Sequence, residues 1–162
     1  MVSYPMAKLI IVAALSCLTF ARKCENGCPP GWKSFNYHCY KYFTRLCDWA
    51  QAERYCVGQG GNLASVHSQV EYNFLQKLTK NTLPFWIGLT DCQREGYWIW
   101  SDGSKLDFRH WNSREPNNLN RNEDCVHANW SVQKKWNDIP CSNQYKFICA
   151  KPQEGENWRR RQ

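Results

Sequence analysis

The spacing of apolar residues predicts two short helices in the first half of the chain. Over residues 47–59 apolar side chains recur at intervals of three and four, as on one face of a helix, and Gly60-Gly61 ends the pattern. A second helix is predicted after Ser68, which can cap its N-terminus, with Glu71 at the reciprocal position of a capping box. The apolar face of this second helix consists of Tyr72, Leu75 and Leu78.

Runs rich in aromatic residues predict strands before and after these helices. Residues 32–35 and 39–43 should form a short hairpin, because their aromatic residues alternate as in half-buried strands. Residues 85–89 are apolar throughout and predict a fully buried strand, and residues 97–100 predict another that turns at Asp102-Gly103. Three closing strands are predicted at residues 125–129, 134–138 and 145–149. Tryptophans in the strand-like runs are expected in the core: Trp32, Trp86, Trp98 and Trp100.

Residues 103–124 contain almost no periodic pattern, and a loop of this length in a compact domain usually has a function. The loop carries Glu115-Pro116-Asn117 and Glu123-Asp124, and Trp136-Asn137-Asp138 follows it. Calcium prefers six to eight oxygen ligands from carboxylates, amides and carbonyls on adjustable loops. The sequence therefore predicts a calcium site built from three carboxylates and two amides, namely Glu115, Asn117, Glu123, Asn137 and Asp138.

The same side chains can bind a second ligand besides the ion. A carboxylate accepts hydrogen bonds at two oxygens, and an amide both donates and accepts. A ligand with two neighbouring hydroxyls can therefore bind the ion, donate to Glu and accept from Asn. A vicinal diol on a sugar meets this demand, although Pro and Asn are also common in ordinary surface loops.

The two ends of the chain differ in composition from its middle. Residues 1–21 are interpreted as a signal peptide, with Lys8 in the charged region and a cleavage site at Thr19-Phe20-Ala21. The apolar run at residues 9–18 is too short to cross a bilayer, so the product is expected to be secreted, extracellular and not inserted in a membrane. A lead at residues 22–27 precedes one domain at 28–151, and a basic tail at 152–162 ends in Arg159-Arg160-Arg161-Gln162.

Net charge does not indicate a nucleic-acid partner. Removal of the signal peptide takes one lysine and no acid, so 21 − 1 − 14 leaves a formal charge of +6. Much of this charge lies in the tail, and no nucleic-acid recognition motif carries it. The sequence therefore predicts no binding of nucleic acid.

Cysteines are numerous, and the predicted cleavage leaves nine of them, from Cys24 to Cys149. In a secreted chain most of them should be bridged. Zinc is not indicated, because the sequence contains no Cys-x-x-Cys pair and its histidines are scattered. Since nine is odd, at least one cysteine must pair outside the chain or remain a free thiol.

With these residues assembled, the chain resembles a C-type lectin domain over about residues 28–151. It is similar in particular to the small secreted lectins of fish. The resemblance implies an α+β, long-form C-type lectin-like domain with two helices, antiparallel sheets and a long calcium-binding loop, stapled by disulfides. The motifs that carry it are Cys28-Pro29-Pro30-Gly31-Trp32, Asn62-Leu63-Ala64-Ser65, Trp86-Ile87-Gly88-Leu89, Glu115-Pro116-Asn117, Glu123-Asp124-Cys125 and Trp136-Asn137-Asp138.

The resemblance also implies a ligand. It places the sugar-binding calcium on the five residues predicted above, and the Glu-Pro-Asn form implies mannose-type sugars, whose neighbouring equatorial hydroxyls reach the ion. Leu119, just after the motif, offers no aromatic ring for galactose. The implied partners are mannose-type glycans on glycoproteins or cell surfaces. Three disulfides are implied as well: Cys28–Cys39, Cys56–Cys149 and Cys125–Cys141.

Further features are expected around this core pattern. Some members of the family hold an auxiliary calcium, whose ligands here would be Asp91, Glu95, Asn118, Glu123 and Asp124, with Asn118 where an Asp is common. Outside the three implied bridges remain Cys24, Cys47 and Cys92, which predict a disulfide-linked homodimer, with Cys24 favoured because it precedes the domain. Asn129-Trp130-Ser131 is a formal glycosylation sequon.

Three functions compete for this sequence. The leading hypothesis is a secreted, calcium-dependent lectin for mannose-type sugars. The alternative is a sugar-independent relative that binds protein or ice; Cys92 resembles an extra cysteine of ice-binding fish relatives, but its partner position there is Asp124 here. An enzyme is not predicted, because the calcium role already explains Glu123 and Asp124 and no G-x-S-x-G nucleophile motif occurs.

Overall fold

A computed structural model of the chain describes residues 27–80 and 82–153. The predicted signal peptide, Cys24 and the arginines of the tail lie outside the described residues. Along the described chain the elements are β1 (Lys33–Phe35), β2 (His38–Cys47), α1 (Trp49–Gly58), β3 (Asn62–Leu63), α2 (Gln69–Leu78), β4 (Phe85–Thr90), β5 (Ile99–Trp100), a 3-10 turn (Leu119–Arg121), β6 (Cys125–Trp130), β7 (Lys135–Ile139) and β8 (Tyr145–Pro152). No helix among these residues is long and apolar enough to span a membrane.

The strands form one sheet rather than several antiparallel sheets. Its order is β1-β2-β8-β4-β6-β7, with β3 beside β8 and β5 beside β4. Strands β4 and β8 run parallel, and the other pairs are antiparallel. The predicted α+β fold with two helices is confirmed, and the sheet is mixed because β8 returns from the end of the chain between β2 and β4.

Pairing with β8 also explains why α1 is shorter than predicted. Cys47 still pairs with Tyr145 at the end of β2, so the helix cannot begin there. Asp48 caps it instead, accepting a hydrogen bond from Gln51 N at 2.7 Å. The helix then covers Trp49–Gly58.

The second helix has the predicted cap but not the predicted capping box. Ser68 Oγ accepts from Glu71 N at 3.1 Å, as expected of an N-cap. The Glu71 carboxylate does not return to Ser68; it accepts from His67 N at 2.7 Å and from the Tyr40 hydroxyl. Because Glu71 is buried, it serves as a polar link between α2 and β2.

The core lies around β4, all six residues of which are buried. Trp32, Trp86 and Trp100 are buried as predicted, whereas Trp98 is half-buried. Trp136 on β7 adds a further buried ring that packs edge-on against Trp100, with centroids 5.7 Å apart. The strand that carries Asn137 and Asp138 is therefore fixed to the core immediately before these residues.

Three disulfides fix the domain, and they are the three that the family resemblance implied. They join Cys28 to Cys39, Cys56 to Cys149 and Cys125 to Cys141. The second bridge links α1 to β8 across a sequence separation of 93 residues. Closing a loop of that length stabilises a fold by about 4–5 kcal/mol in the chain-entropy model.

Candidate metal centre

The five predicted ligands come from three segments that the fold brings side by side. Glu115 and Asn117 lie in the loop before the 3-10 turn, and Glu123 lies just before β6. Asn137 and Asp138 lie on β7, where Asp138 pairs with Val126 of β6. Because β6 and β7 are adjacent and antiparallel, the end of the loop and the middle of β7 share one region of the surface.

Asp138 holds the Glu-Pro-Asn segment against β7. Its side chain is fully buried, at 0% exposure. Its two carboxylate oxygens accept from Asn117 N at 3.1 and 3.0 Å, and one of them accepts from Asn118 N at 2.7 Å. Hydrogen bonds from backbone N–H groups stabilise a buried carboxylate, so Asp138 fixes the position of the loop.

Glu123 forms hydrogen bonds with the residues at the start of the 3-10 turn. Its Oε2 accepts from Leu119 N at 2.9 Å, and its own N–H donates to Asn118 Oδ1 at 3.1 Å. Asn118 has a φ of 43°, in the left-handed region that Asn tolerates better than most residues. Burial raises the pKa of Glu123, the hydrogen bond from Leu119 lowers it, and the charge of Asp138 raises it again.

Glu115 is the carboxylate whose surroundings least favour a negative charge. Burial raises its pKa to about 7, and the hydrogen bond with Asp138 and the charges of Asp138 and Glu123 act in the same direction. Its Oε2 is buried and has no hydrogen-bond partner in the described part of the chain. An unpartnered carboxylate oxygen beside two other carboxylates fits a cation in this region.

Asn137 is oriented by His127, a residue outside the predicted ligand set. Burial lowers the pKa of His127 to about 4, so its ring is neutral near pH 7. The ring nitrogen Nε2 lies 3.2 Å from Asn137 Nδ2, which also donates to Asp138 O at 2.8 Å. With both amide hydrogens in use, the amide oxygen remains for another partner. The pairing of His127 with Asn137 across β6 and β7 arises from the sheet register, which no local pattern reveals.

The three carboxylates do not all converge within one coordination sphere. Among the described residues, the only three ligand atoms of His, Cys, Asp or Glu that lie within 4.8 Å of one another are the sulfurs of Cys92, Cys125 and Cys141. Two of these sulfurs form a disulfide, so this trio is not a metal site. Calcium at the predicted site would draw on the carboxylates of Glu115, Glu123 and Asp138 and on the amide oxygens of Asn117 and Asn137. Asp138 also holds the loop through its hydrogen bonds from Asn117 N and Asn118 N.

The positions of the auxiliary site also lie together. Asp91 is 1% exposed, and its Oδ2 accepts from Gly96 N at 2.7 Å. Its Oδ1 is buried and has no partner among residues 27–80 and 82–153. Burial raises the pKa of Asp91, with smaller contributions from the charges of Glu95, Asp124 and Asp138. Asn118 Nδ2 donates to Glu95 Oε2, and the Asp124 carbonyl accepts from Asp91 N at 3.1 Å. An unpartnered oxygen in an acidic cluster again fits a cation.

The structure buries two residues that the sequence suggested for attachment to other groups: Cys47 for an interchain disulfide and Asn129 for a glycan. Cys47 is 1% exposed, so it cannot reach a second chain without opening the core, although Cys92 remains exposed. Cys92 Sγ lies 3.6 Å from Cys141 Sγ. Asn129 is also 1% exposed, and its Nδ2 donates to Leu83 O at 3.1 Å. A glycan on that nitrogen would have no space in the folded domain, so Asn129 is not an accessible glycosylation site.

Fold and site together define a C-type lectin-like binding domain. The Lectin C-type domain model matches residues 45–151, and the chain belongs to this family. The family comprises binding proteins such as lectins and antifreeze proteins, and the chain is not an enzyme.

Individual relatives differ in what they bind. The chain is 41% identical over 161 residues to the lactose-binding lectin l-2 of Anguilla japonica, across 93% of this chain and 97% of that protein. The structure of herring type II antifreeze protein superposes with a TM-score of 0.75 at 39% identity, covering 78% of this chain and 100% of that one. A calcium-independent type II antifreeze protein superposes with a TM-score of 0.73 at 34% identity, covering 78% and 95%. The family therefore contains both sugar-binding and antifreeze proteins.

Proposed function

We propose that this protein is a secreted, calcium-dependent lectin that binds mannose-type sugars. The calcium would be held by Glu115, Asn117, Glu123, Asn137 and Asp138. When bound, calcium would supply the positive charge that binds the oxygens of two neighbouring sugar hydroxyls. The surrounding carboxylates and amides orient those hydroxyls by accepting from and donating to them.

The observation that carries this proposal is the environment of Glu115. Its Oε2 is buried without a partner, and burial together with nearby carboxylates raises its pKa to about 7. Ionisation of a carboxyl in such a place destabilises the free domain, and a bound cation would offset that penalty. Calcium suits the chemistry of the set because all five side chains offer oxygen, and none of the three carboxylates takes part in a salt bridge among the described residues.

Sugar selectivity is proposed from the order of the motif. The acceptor-only carboxylate of Glu115 precedes Pro116, and the amide of Asn117 follows it. A hydroxyl placed beside Glu115 must donate, and one placed beside Asn117 can accept. This direction suits the equatorial diol of a mannose-type sugar, and the exposed Leu119 side chain gives galactose no ring to stack on.

Secretion and assembly complete the proposal. Three disulfides suit an oxidising, extracellular environment. A homodimer linked through Cys24 would join two shallow sites and raise avidity by about 10²–10⁴. Its carbohydrate partners would be glycans on glycoproteins or cell surfaces.

A glycan array probed with calcium and again with excess chelator tests this function. Binding to mannose-terminated glycans that disappears with chelator is the expected result. Competition by free mannose but not by lactose supports the selectivity, and the reverse order assigns a galactose-type ligand instead.

An ice-binding function is the second candidate, because solved antifreeze structures superpose closely on this chain. Chelation alone does not separate the two functions, since one antifreeze relative is described as Ca2+-dependent. Thermal hysteresis measured on the same protein does. Hysteresis without glycan binding would replace the lectin function.

A further inference from the structure

A groove beside the candidate metal centre has features of a second binding surface. Its volume is about 730 Å³, within the range of about 300–1,000 Å³ usual for ligand sites. Its walls carry three aromatic rings and two cationic side chains. We call it the aromatic groove and define it by Tyr97, Trp98, Lys105, Arg109, Trp111 and Pro116.

The aromatic groove is continuous with the metal centre through Pro116. This residue lines the groove, and it stands between Glu115 and Asn117 of the predicted calcium set. A saccharide whose terminal unit lies at the metal centre can therefore place its next unit over Pro116 and into the groove.

The floor of the groove is fixed to the same strand as the metal ligands. The rings of Trp98 and Trp111 pack edge-on with centroids 4.9 Å apart, and Trp111 packs edge-on against the buried Trp136 at 5.9 Å. Asn112 N donates to Trp136 O at 2.8 Å, and Trp136 N donates to His110 O at 2.9 Å. Because Trp136 directly precedes Asn137, groove and metal centre keep a defined relative position.

Tyr97 gives the groove an unused aromatic face. Its side chain is 64% exposed, and its ring packs against no other aromatic ring of the described residues. When the C–H side of a sugar ring covers the exposed face of an aromatic ring, apolar surface is removed from water, which is favourable. The rings therefore suit a saccharide rather than a free ion.

The charged side chains that line the groove are both positive, and neither forms a salt bridge among the described residues. Among the described residues no acidic side chain lines the groove, whereas Lys105 and Arg109 do. The one salt bridge among the described residues joins His67 Nδ1 to Asp107 Oδ1 at 2.8 Å, so the acid between the two cations in sequence is directed to a different partner. Two unpaired cations beside aromatic rings complement an anionic substituent on a sugar.

We propose that the aromatic groove binds an anionic saccharide unit, carrying a sulfate ester or a carboxylate, that is linked to the sugar at the metal centre. The unit stacks on Tyr97, and its anionic group lies between Lys105 and Arg109. This proposal rests on the proposed function, and it names the kind of extended glycan that the protein prefers.

Three matched disaccharides test it in the presence of calcium. Each has a terminal mannose, followed by a neutral hexose, by the same hexose with one sulfate, or by a uronic acid. The wild-type protein should bind the anionic ligands about two- to ten-fold more tightly than the neutral one, the effect expected of two exposed ion pairs. The sulfated and uronic arms show which anionic group fits better, and the advantage should shrink as salt rises from about 0.05 to 0.5 M.

Variants assign the preference to the groove. The double variant Lys105→Gln/Arg109→Gln should bind all three disaccharides equally while keeping the affinity for methyl mannoside. The control Lys33→Gln/Lys77→Gln removes the same charge from exposed residues that do not line the groove, and it should keep the wild-type ratio. Tyr97→Ala should weaken all three disaccharides without changing the ratio between them.

Two results overturn the proposal. One is a wild-type protein that binds the neutral disaccharide as tightly as both anionic ones. The other is an anionic preference that survives in Lys105→Gln/Arg109→Gln, which would assign it to other cations. Failure of the proposed function is recognised separately, because methyl mannoside would then not bind even with calcium.

Discussion

Replacing Glu115 with Gln should stabilise the calcium-free domain at pH 8 and weaken its binding of calcium. Burial, with the neighbouring Asp138 and Glu123, raises the pKa of Glu115 from 4.5 to about 7. A raised carboxyl pKa means that ionisation is less favourable in the folded chain than in the unfolded chain. The resulting destabilisation is absent below pH 4.5, grows as the pH rises to about 7, and is complete above it. Gln cannot ionise, so the variant lacks this penalty.

The size of the effect follows from the pKa shift and from the exposure of the side chain. The difference between a pKa of 4.5 and one of about 7 corresponds to at most about 3.4 kcal/mol. Because the side chain is partly exposed and water screens its charge, we expect about 1 kcal/mol. For a domain of this size that is a rise in the melting temperature of about 2–6 °C.

Thermal unfolding in excess chelator at pH 8 and pH 5 measures this prediction. The variant should melt above the wild type at pH 8, with a smaller difference at pH 5. In saturating calcium the order should reverse, because a ten-fold weaker calcium affinity removes about 1.4 kcal/mol of stabilisation. Asp107→Asn is the matched control, since its hydrogen bond with His67 lowers the pKa of Asp107 and the variant should gain no stability. A Glu115→Gln variant that melts lower than the wild type in chelator at pH 8 would refute the reasoning.

Three further predictions follow from the site and the cysteines. The double variant Glu115→Gln/Asn117→Asp keeps the charge of the set but reverses its hydrogen-bond donors and acceptors, so binding of a mannose-type diol should lose about 1–3 kcal/mol for each buried group left unsatisfied. The ratio of mannose to galactose inhibition should therefore fall. An unchanged ratio would show that these residues do not select the sugar. Cys125→Ser leaves the Cys141 thiol beside the Cys92 thiol, with the two sulfurs 3.6 Å apart. Oxidised glutathione should therefore oxidise the pair to a new disulfide that resists alkylation, and labelling of both residues after this treatment would contradict that geometry. On a non-reducing gel the wild-type protein should run as a dimer and the Cys24→Ser variant as a monomer. If both proteins run as monomers, the covalent link is excluded.

Local patterns were sufficient for much of the fold. The buried strand Phe85–Thr90 and the helices at Trp49–Gly58 and Gln69–Leu78 follow from hydrophobic spacing and capping residues close in sequence. The elements that differed depend on distant partners. Strand β2 extends to Cys47 because β8 pairs with it, and Tyr97 is exposed because only Ile99–Trp100 pairs with β4.

The candidate site likewise combines residues that local sequence motifs predict with contacts that depend on distant partners. Its five oxygen ligands could be predicted because they are grouped in short motifs of unusual chemistry. His127 could not, since its contact with Asn137 depends on the register of β6 and β7. The buried position of Asn129, which excludes the sequon, likewise depends on a hydrogen bond to Leu83, far away in sequence.

Calcium affinity measured by titration calorimetry with and without saturating mannose tests the central claim most directly. If the sugar binds to the ion, the two ligands must strengthen each other's binding by the same factor. We expect calcium to bind more tightly when mannose is present, and mannose to give no heat in excess chelator. Equal calcium affinity in both titrations, or mannose binding that persists in chelator, would contradict a sugar site built on calcium.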